Sequence, residues 1–408
     1  MRPIIDVFWY VKENALFSPL QLAGMLTFFF SLVYSLRLPG QGKGQFPLSF
    51  NLFAGLLVMN LLLISVELGS ASGLIRFVRF ITPVILFAYL VKVMKSEERF
   101  HGFLFTFLIS SIFPLAMLYY ETVFDPISYV ELSESRGGGY RLTGLYADLF
   151  NYMSYLIGDL LIFGYIFVRS LRPGSTQIGV LKIAAVVALA VVGIAGLKHQ
   201  ASWIVTLFII VSVVLTGFNH QRVKSYMVFI GFPLLLLAPV LILPKVETLF
   251  AKEIKAYTGE ADSDRILNGR LIRWERHFSV WEDASTISKF FGVSLDGMPA
   301  QQKNAMTGGG MHSDYVRFLF AAGIVGLIAF LLFYLRVYVG GRKYRKPEKF
   351  FIVTSVGIMC LYSVTSNPFG SSGSLMFLLF SGMALSLNNS KLFYLGTNNV
   401  TKGKVEQA

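Results

Sequence analysis

Apolar segments of about 20 residues, the length that a helix needs to cross a hydrocarbon core of about 30 Å, recur along most of this chain. The chain has 408 residues, of which only 14% are charged, whereas soluble domains carry about 25%. The sequence therefore predicts an all-α polytopic membrane protein with about 11 to 12 transmembrane helices. Eleven spans are predicted near residues 16–36, 48–67, 71–94, 101–120, 148–169, 178–197, 201–217, 226–243, 313–338, 350–366 and 372–388.

The basic residues between the spans indicate how the chain is oriented. Short loops rich in Lys and Arg, such as 342–349, fall on one side when the spans alternate, and this side is expected to be cytoplasmic. Two long loops fall on the other side, and the larger one has nine basic and nine acidic residues. We expect both long loops to lie on the opposite, outer side of the membrane. The predicted parts are a bundle at 1–243 with an outer loop at 121–147, a large outer loop at 244–312, C-terminal helices at 313–390 and a cytoplasmic tail at 391–408.

The net charge of +13 does not indicate a nucleic-acid partner, because the basic residues lie in short clusters between apolar segments. The sequence shows no nucleotide-phosphate loop, no metal-ligand cluster and no Ser-His-Asp spacing, and its five histidines are scattered. We therefore expect neither a cofactor nor a metal. The energy for any reaction is expected to come from the substrate itself.

His312 lies where the larger outer loop re-enters a predicted span. A histidine at the rim of a membrane bundle can take a proton near neutral pH, which predicts a general base for a substrate hydroxyl. The alternative is a helix-start residue that bonds only to backbone. Asp314 is the second candidate for the base, and otherwise has a structural or lipid-head role. Gly323 and Gly326 follow on a face of small residues that permits close helix approach.

Two arginines in the outer loops are candidates for phosphate binding. Arg270 follows Gly269 where a helix is expected to begin, and both helix N-termini and guanidinium groups suit phosphate oxygens. An amphipathic helix is predicted from Asn268 to Phe290. Arg141 stands among glycines just before the fifth span. An ordinary surface salt bridge is the alternative for either arginine.

Arg76 and Arg79 lie three residues apart in the third span, so they share one helix face. Charged groups within a membrane are costly and therefore need a partner. Three outcomes are open: both side chains reach the outer surface, they pair with Asp159 in the fifth span, or they bind an anionic lipid head.

Several segments together resemble the O-antigen ligase and polymerase superfamily of polytopic glycosyltransferases. The resemblance covers about Arg141 to Phe330. It rests chiefly on the His-Ser-Asp-Tyr sequence at 312–315 running into the glycines at 323 and 326, and on Gly-Arg-Leu at 269–271. Family members usually have a Ser-Arg pair where this chain reads Lys198-His199-Gln200 before the seventh span.

The resemblance implies a GT-C-like fold in the bacterial inner membrane, with both long loops in the periplasm, and an inverting, metal-independent transfer of a glycan from an undecaprenyl-diphosphate carrier. It implies that His312 activates the acceptor hydroxyl and that Arg141 and Arg270 hold the diphosphate. Where this chain departs from the family's Ser-Arg pair, we expect Lys198 to supply the cation instead. The acceptor is either another lipid-linked repeat unit, as in a polymerase, or lipid A core, as in a ligase. We favour the polymerase. A polysaccharide transporter or flippase is the weaker alternative, because polar residues concentrate in the outer loops rather than at a midplane site.

Overall fold

The computed structural model describes residues 19–37, 46–68, 70–124, 129–131, 140–142, 150–171, 199–217, 255, 258–259, 270–292, 312–365 and 374–387. The described part of the chain is helical apart from one short hairpin. Its helices are α1 (Pro19–Arg37), α2 (Leu48–Leu68), α3 (Ser70–Val93), α4 (Glu97–Val123), α5 (Phe150–Ser170), α6 (Gln200–Gly217), α7 (Arg270–Asp283), α8 (Thr286–Phe291), α9 (Asp314–Gly341), α10 (Lys346–Thr365) and α11 (Ser374–Leu387). The hairpin joins β1 (Tyr129–Glu131) and β2 (Tyr140–Leu142).

The helices confirm the predicted all-α membrane fold. Nine predicted spans coincide with described helices, and the other two, at 178–197 and 226–243, lie outside the described residues. Four of the described helices, α4, α5, α9 and α10, are long and apolar enough to cross a membrane, and five further stretches are apolar but shorter. On α9 the exposed side chains form one face, with helical spacing. That face includes Ile328, Leu331, Leu332, Leu335, Tyr338 and Val339.

The chain divides into two compact units, the first including residues 107–275 and the second residues 17–106 and 276–408. In the first unit, α5 packs against α6. The Tyr152 hydroxyl donates a hydrogen bond of 2.7 Å to the buried Glu121 carboxylate near the end of α4. The hairpin is antiparallel, with Val130 opposite Arg141. The hairpin lies within the predicted outer loop at 121–147, and the hydrogen bond from Tyr152 to Glu121 joins the two helices on either side of that loop.

The second unit is built around α9, which packs against α2, α8, α10 and α11, while α3 packs against α1, α2 and α11. Aromatic rings fill the space between α2, α3 and α9, with ring centroids 4.6 to 5.3 Å apart. Such tilted and edge-to-face ring pairs contribute beyond their buried area. The cluster consists of Phe50, Phe53, Phe87, Phe318, Phe330 and Phe333.

One end of the second unit carries the basic turns. Arg345, in the turn between α9 and α10, lies 3.1 Å from Glu97 and 3.3 Å from Glu348. Burial lowers the pKa of Arg345, but the Glu348 and Glu97 carboxylates outweigh it and raise the pKa. The contact joins the start of α4 to the turn between α9 and α10, which lies in the basic loop at 342–349. We call this the Arg345 end, and the opposite end of α9 the His312 end.

Candidate active site

His312 immediately precedes α9 and adopts a left-handed backbone conformation, with φ at 45°. Among the residues that the structure describes, it is the one non-glycine residue with positive φ. This conformation costs an L-residue about 1–2 kcal/mol. Such strain persists where the surroundings fix it, and it concentrates at functional sites. The side chain is partly exposed, so the imidazole is accessible from the end of the bundle.

The residues after His312 tie the start of α9 to the end of α10. The Ser313 hydroxyl donates a hydrogen bond of 3.0 Å to the Ser363 carbonyl and caps α9 by accepting from the Val316 amide at 3.5 Å. The Tyr315 hydroxyl donates to the Cys360 carbonyl at 3.1 Å. Two side chains flanking the first helical residue thus hold the backbone at His312 against a neighbouring span.

Asp314 and Arg317 form a buried ion pair inside the first turn of α9. The distance from the Asp314 Oδ1 atom to the Arg317 Nη1 atom is 3.9 Å, and both side chains are almost completely buried. A carboxylate in the first turn also interacts favourably with the helix dipole. Because its carboxylate is enclosed next to a guanidinium, Asp314 is poorly placed to meet a lipid head or to act as the base.

Arg270 is the first residue of α7, so the predicted helix start is correct. Its guanidinium is partly buried, and its pKa is lowered by that burial and then by the neighbouring Arg273. Two guanidinium groups in the first turn of a helix, where the backbone amides also carry positive partial charge, create a positive potential that favours an anion.

The predicted amphipathic helix is shorter than expected. α7 ends at Asp283 rather than continuing to Phe290, and α8 follows after a break. The break has a local cause, because the Ser285 side chain caps α8 by accepting from the Ser288 amide at 3.2 Å. Serine at this position competes with helix continuation. On α7, the buried His277 packs edge-on against Phe320 of α9, with ring centroids 6.0 Å apart.

The other predicted diphosphate ligands are only partly described. Arg141 lies in β2, but its side chain is outside the described residues, as is the whole of Lys198. After Lys198, the His199 ring and the buried Ser202 hydroxyl lie 2.8 Å apart across the first turn of α6. Arg141 and Arg270 belong to the first unit and His312 to the second.

The charged residues predicted within the spans occupy two helices. Arg76 and Arg79 lie on α3 in the second unit, and their side chains are outside the described residues. Asp159 lies on α5 in the first unit, where it is buried beside Ser111. The predicted pairing of the arginines with Asp159 stays a prediction.

The sequence interpretation missed Asn60 and Arg317. The Asn60 side-chain amide, on α2, donates hydrogen bonds of 2.9 Å to the carbonyls of Leu56 and Phe291. An Asn in the middle of the apolar α2 sequence is itself a signal, because a polar group in a membrane helix needs a partner. Arg317 offers the same signal near the start of the ninth span.

Over the described ranges, no three His, Cys, Asp or Glu side chains are grouped to hold a metal ion.

Residues 184–331 match the family model described as O-Antigen ligase. This segment, a little over a third of the chain, is therefore similar to the O-antigen ligase family. The match begins within the sixth predicted span, runs through the large loop and ends within α9, and it includes His312, Arg270 and Lys198 but not Arg141.

A search of curated proteins finds no match. One solved structure, described as "Structural coordination of polymerization and crosslinking by a peptidoglycan synthase complex", gives a TM-score of 0.43 at 17% identity, over 82% of this chain and 95% of that chain. A likeness at this TM-score is too distant to bear on fold or function.

Proposed function

We propose that this chain is a glycosyltransferase of the O-antigen polymerase type, acting at the periplasmic face of the bacterial inner membrane. It transfers a glycan from an undecaprenyl-diphosphate carrier to the hydroxyl of another lipid-linked repeat unit. The observation that carries the proposal is the strained, partly exposed His312, fixed by Ser313 and Tyr315 at the opening of a membrane helix in an O-antigen ligase domain.

In the proposed reaction, the acceptor oxygen attacks the anomeric carbon while the bond from that carbon to the diphosphate breaks. The diphosphate leaves with the bonding electrons, and His312 takes the acceptor proton. Attack opposite the leaving group inverts the anomeric centre. A positioned base contributes about 10²–10⁴ in rate. The reaction needs no nucleotide, because the diphosphate is already a good leaving group.

The diphosphate is proposed to bind Arg141, Arg270 and Lys198, whose positive charges stabilise the negative charge that develops on the leaving oxygen. Support comes from α7, where the first turn places Arg270 near Arg273. A bound diphosphate would neutralise the repulsion between these two guanidinium groups. Lys198 supplies a point charge rather than a bidentate fork.

The second candidate is a ligase that transfers the glycan to lipid A core, the activity that the description of the matching family names. The two activities are distinguished by product. Purified protein in vesicles is incubated with lipid-linked glycan, with and without lipid A core. A ladder of longer glycans on the carrier indicates a polymerase, and glycan on the core indicates a ligase.

His312 variants test the chemistry in the same assay. His312→Ala should lower transfer by about 10²-fold or more. His312→Gln can hydrogen-bond but cannot take a proton at neutral pH, so it should be nearly as inactive. Near-normal transfer by His312→Gln would show that the residue only orients substrate. Movement of the lipid-linked glycan across the vesicle membrane, without any new glycosidic bond, would instead indicate a flippase.

A further inference from the structure

The short helix α8 docks onto the bundle through an unusually close backbone contact, which we call the α8 junction. It consists of Asn60 on α2, Phe291 and Gly292 at the end of α8, and Gly323 on α9. A Cβ atom on Gly323 would lie 2.5 Å from the Phe291 amide nitrogen, and one on Gly292 would lie 2.7 Å from the Asn60 side-chain amide. Both glycines have positive φ, and the Gly323 backbone interrupts α9. The contact is therefore possible because both positions, Gly292 and Gly323, are glycines without a Cβ atom.

The junction lies well below the His312 end of the helices that form it. Gly323 comes nine residues after the first residue of α9, which corresponds to about 14 Å along a helix. The 28 residues of α9 extend about 42 Å, so each end projects about 6 Å beyond a hydrocarbon core of about 30 Å. Gly323 is thus about 8 Å inside the core. Asn60 lies eight residues before the end of α2, which is about 12 Å along that helix and close to the 14 Å that separates Gly323 from the start of α9.

Three backbone groups at the ends of α8 have partners within the protein. Polar backbone groups away from water must find such partners. The Phe291 carbonyl accepts from the Asn60 side chain, the Gly292 amide donates to the Ser288 carbonyl at 2.8 Å, and the Ser288 amide donates to the Ser285 side chain. These three groups use protein partners where a surface helix would use water.

The single charge on α8 is turned away from the junction. The Lys289 ammonium donates a hydrogen bond of 2.6 Å to the Glu282 carbonyl at the end of α7 and lies 5.7 Å from the centre of the Trp281 ring. Lysine side chains in membranes reach towards the surface in this way, with the stem in the apolar layer and the charge outside it. This contact with α7 is the one expected if the C-terminal end of α8 lies deeper in the membrane than its N-terminal end.

The outward face of α8 is apolar. Ile287 is 66% exposed, Phe290 46% and Phe291 42%. It continues the exposed apolar surface of the spans, because Met59 and Leu63 on α2, either side of Asn60, are also exposed. A membrane surrounds the spans at this level, so the face meets acyl chains.

We propose that α8 is a re-entrant helix that lies within the leaflet on the His312 side, with Ile287, Phe290 and Phe291 against lipid acyl chains. The large loop is then anchored in the hydrocarbon layer near its middle, rather than lying wholly in water. This placement does not depend on the proposed glycosyl transfer. If that transfer is correct, the anchor keeps α7 at the membrane surface, where the diphosphate of a lipid carrier lies.

Site-directed spin labelling tests the depth of α8. The variants Ile287→Cys and Phe290→Cys are made in full-length protein that carries Cys360→Ala, and a nitroxide label is attached to each new cysteine. The labelled proteins are then reconstituted into vesicles of phosphatidylethanolamine and phosphatidylglycerol. Controls are Ile328→Cys on the exposed face of α9 and Ser279→Cys on the exposed surface of α7. All four positions are solvent-exposed or lipid-facing in the structure, so labels should leave the fold intact, which the melting temperature checks.

Both α8 labels should be relaxed strongly by oxygen and weakly by a water-soluble nickel chelate, as at Ile328, with a depth of about 8 Å below the headgroups. Strong relaxation by nickel, as expected at Ser279, would place α8 in water and overturn the proposal. Weak relaxation by both reagents would show that protein covers the face, which also overturns it. Asn60→Leu provides a second measurement. It removes the donor to Phe291, so the label at Phe290 should become more accessible to nickel, and no change in accessibility would count against the junction.

Discussion

Gly323→Ala should destabilise the protein, because it places a methyl group inside the α8 junction. The added Cβ would lie 2.5 Å from the Phe291 amide nitrogen and closer still to the Phe290 carbonyl group. Carbon atoms in good contact are about 3.5–4.0 Å apart. These neighbours are backbone atoms, which cannot rotate out of the way like a side chain. α8 must therefore move by about 1 Å or more to restore contact distances.

The expected cost has two parts. Alanine at the Gly323 backbone angles, φ 65° and ψ −174°, costs about 1–3 kcal/mol, because this region is almost confined to glycine. Displacing α8 also removes the hydrogen bond from Asn60 to the Phe291 carbonyl, and leaving such a buried group unsatisfied costs about 1–3 kcal/mol. We therefore expect a loss of about 2–6 kcal/mol in the free energy of unfolding.

Gly55→Ala is the matched control, since Gly55 lies within the same unit on α2 and a Cβ there meets nothing within 4 Å. Alanine favours a helix over glycine by about 0.5–1 kcal/mol, so this variant should be as stable as the wild type or slightly more. The measurement is denaturant unfolding in detergent micelles, followed by intrinsic fluorescence and circular dichroism. Equal stability of the Gly323 and Gly55 variants would refute the close contact between α8 and α9.

Three further predictions concern charge. Arg270→Ala should lower transfer by about 10²-fold or more, and Arg270→Lys should restore only part of it, because lysine lacks the bidentate fork; full activity of the Ala variant would remove Arg270 from the site. Arg345→Ala should lower the free energy of unfolding by about 1–3 kcal/mol, because it leaves the fully buried Glu348 carboxylate without its guanidinium, whereas the exposed Arg342→Ala should have no measurable effect. With Cys360→Ala, an impermeant thiol reagent should not label Lys343→Cys in intact spheroplasts, and labelling there would reverse the proposed orientation.

Much of the fold is determined locally and could be predicted. Each span is a continuous apolar run of the right length, and crossing the bilayer leaves helix as the only way to pair the backbone of such a run. The start of α7 at Arg270 and the start of α9 just after His312 also follow from local signals: a preceding glycine in one case, and a Ser-Asp pair suited to a helix N-terminus in the other.

The end of α7 was less predictable, because the apolar spacing continues to Phe290 while Ser285 stops the helix. Periodicity describes which face is apolar, but a capping serine competes with it over a few residues. The local cap therefore outweighed the apolar periodicity, and α8, which follows it, contacts Gly323 of α9.

What the sequence by itself determined is the series of apolar helices and the position of His312 just before α9, because each depends on residues within one segment. Only the tertiary structure decided that Asp314 pairs inward with Arg317, that His312 is held in a left-handed conformation, and that Asn60 binds Phe291 from 231 residues away. The first pair share a helix turn, but their burial depends on the neighbouring helices. The Asn60 contact requires two distant segments to approach within hydrogen-bonding distance, and that approach depends on how all the spans pack together.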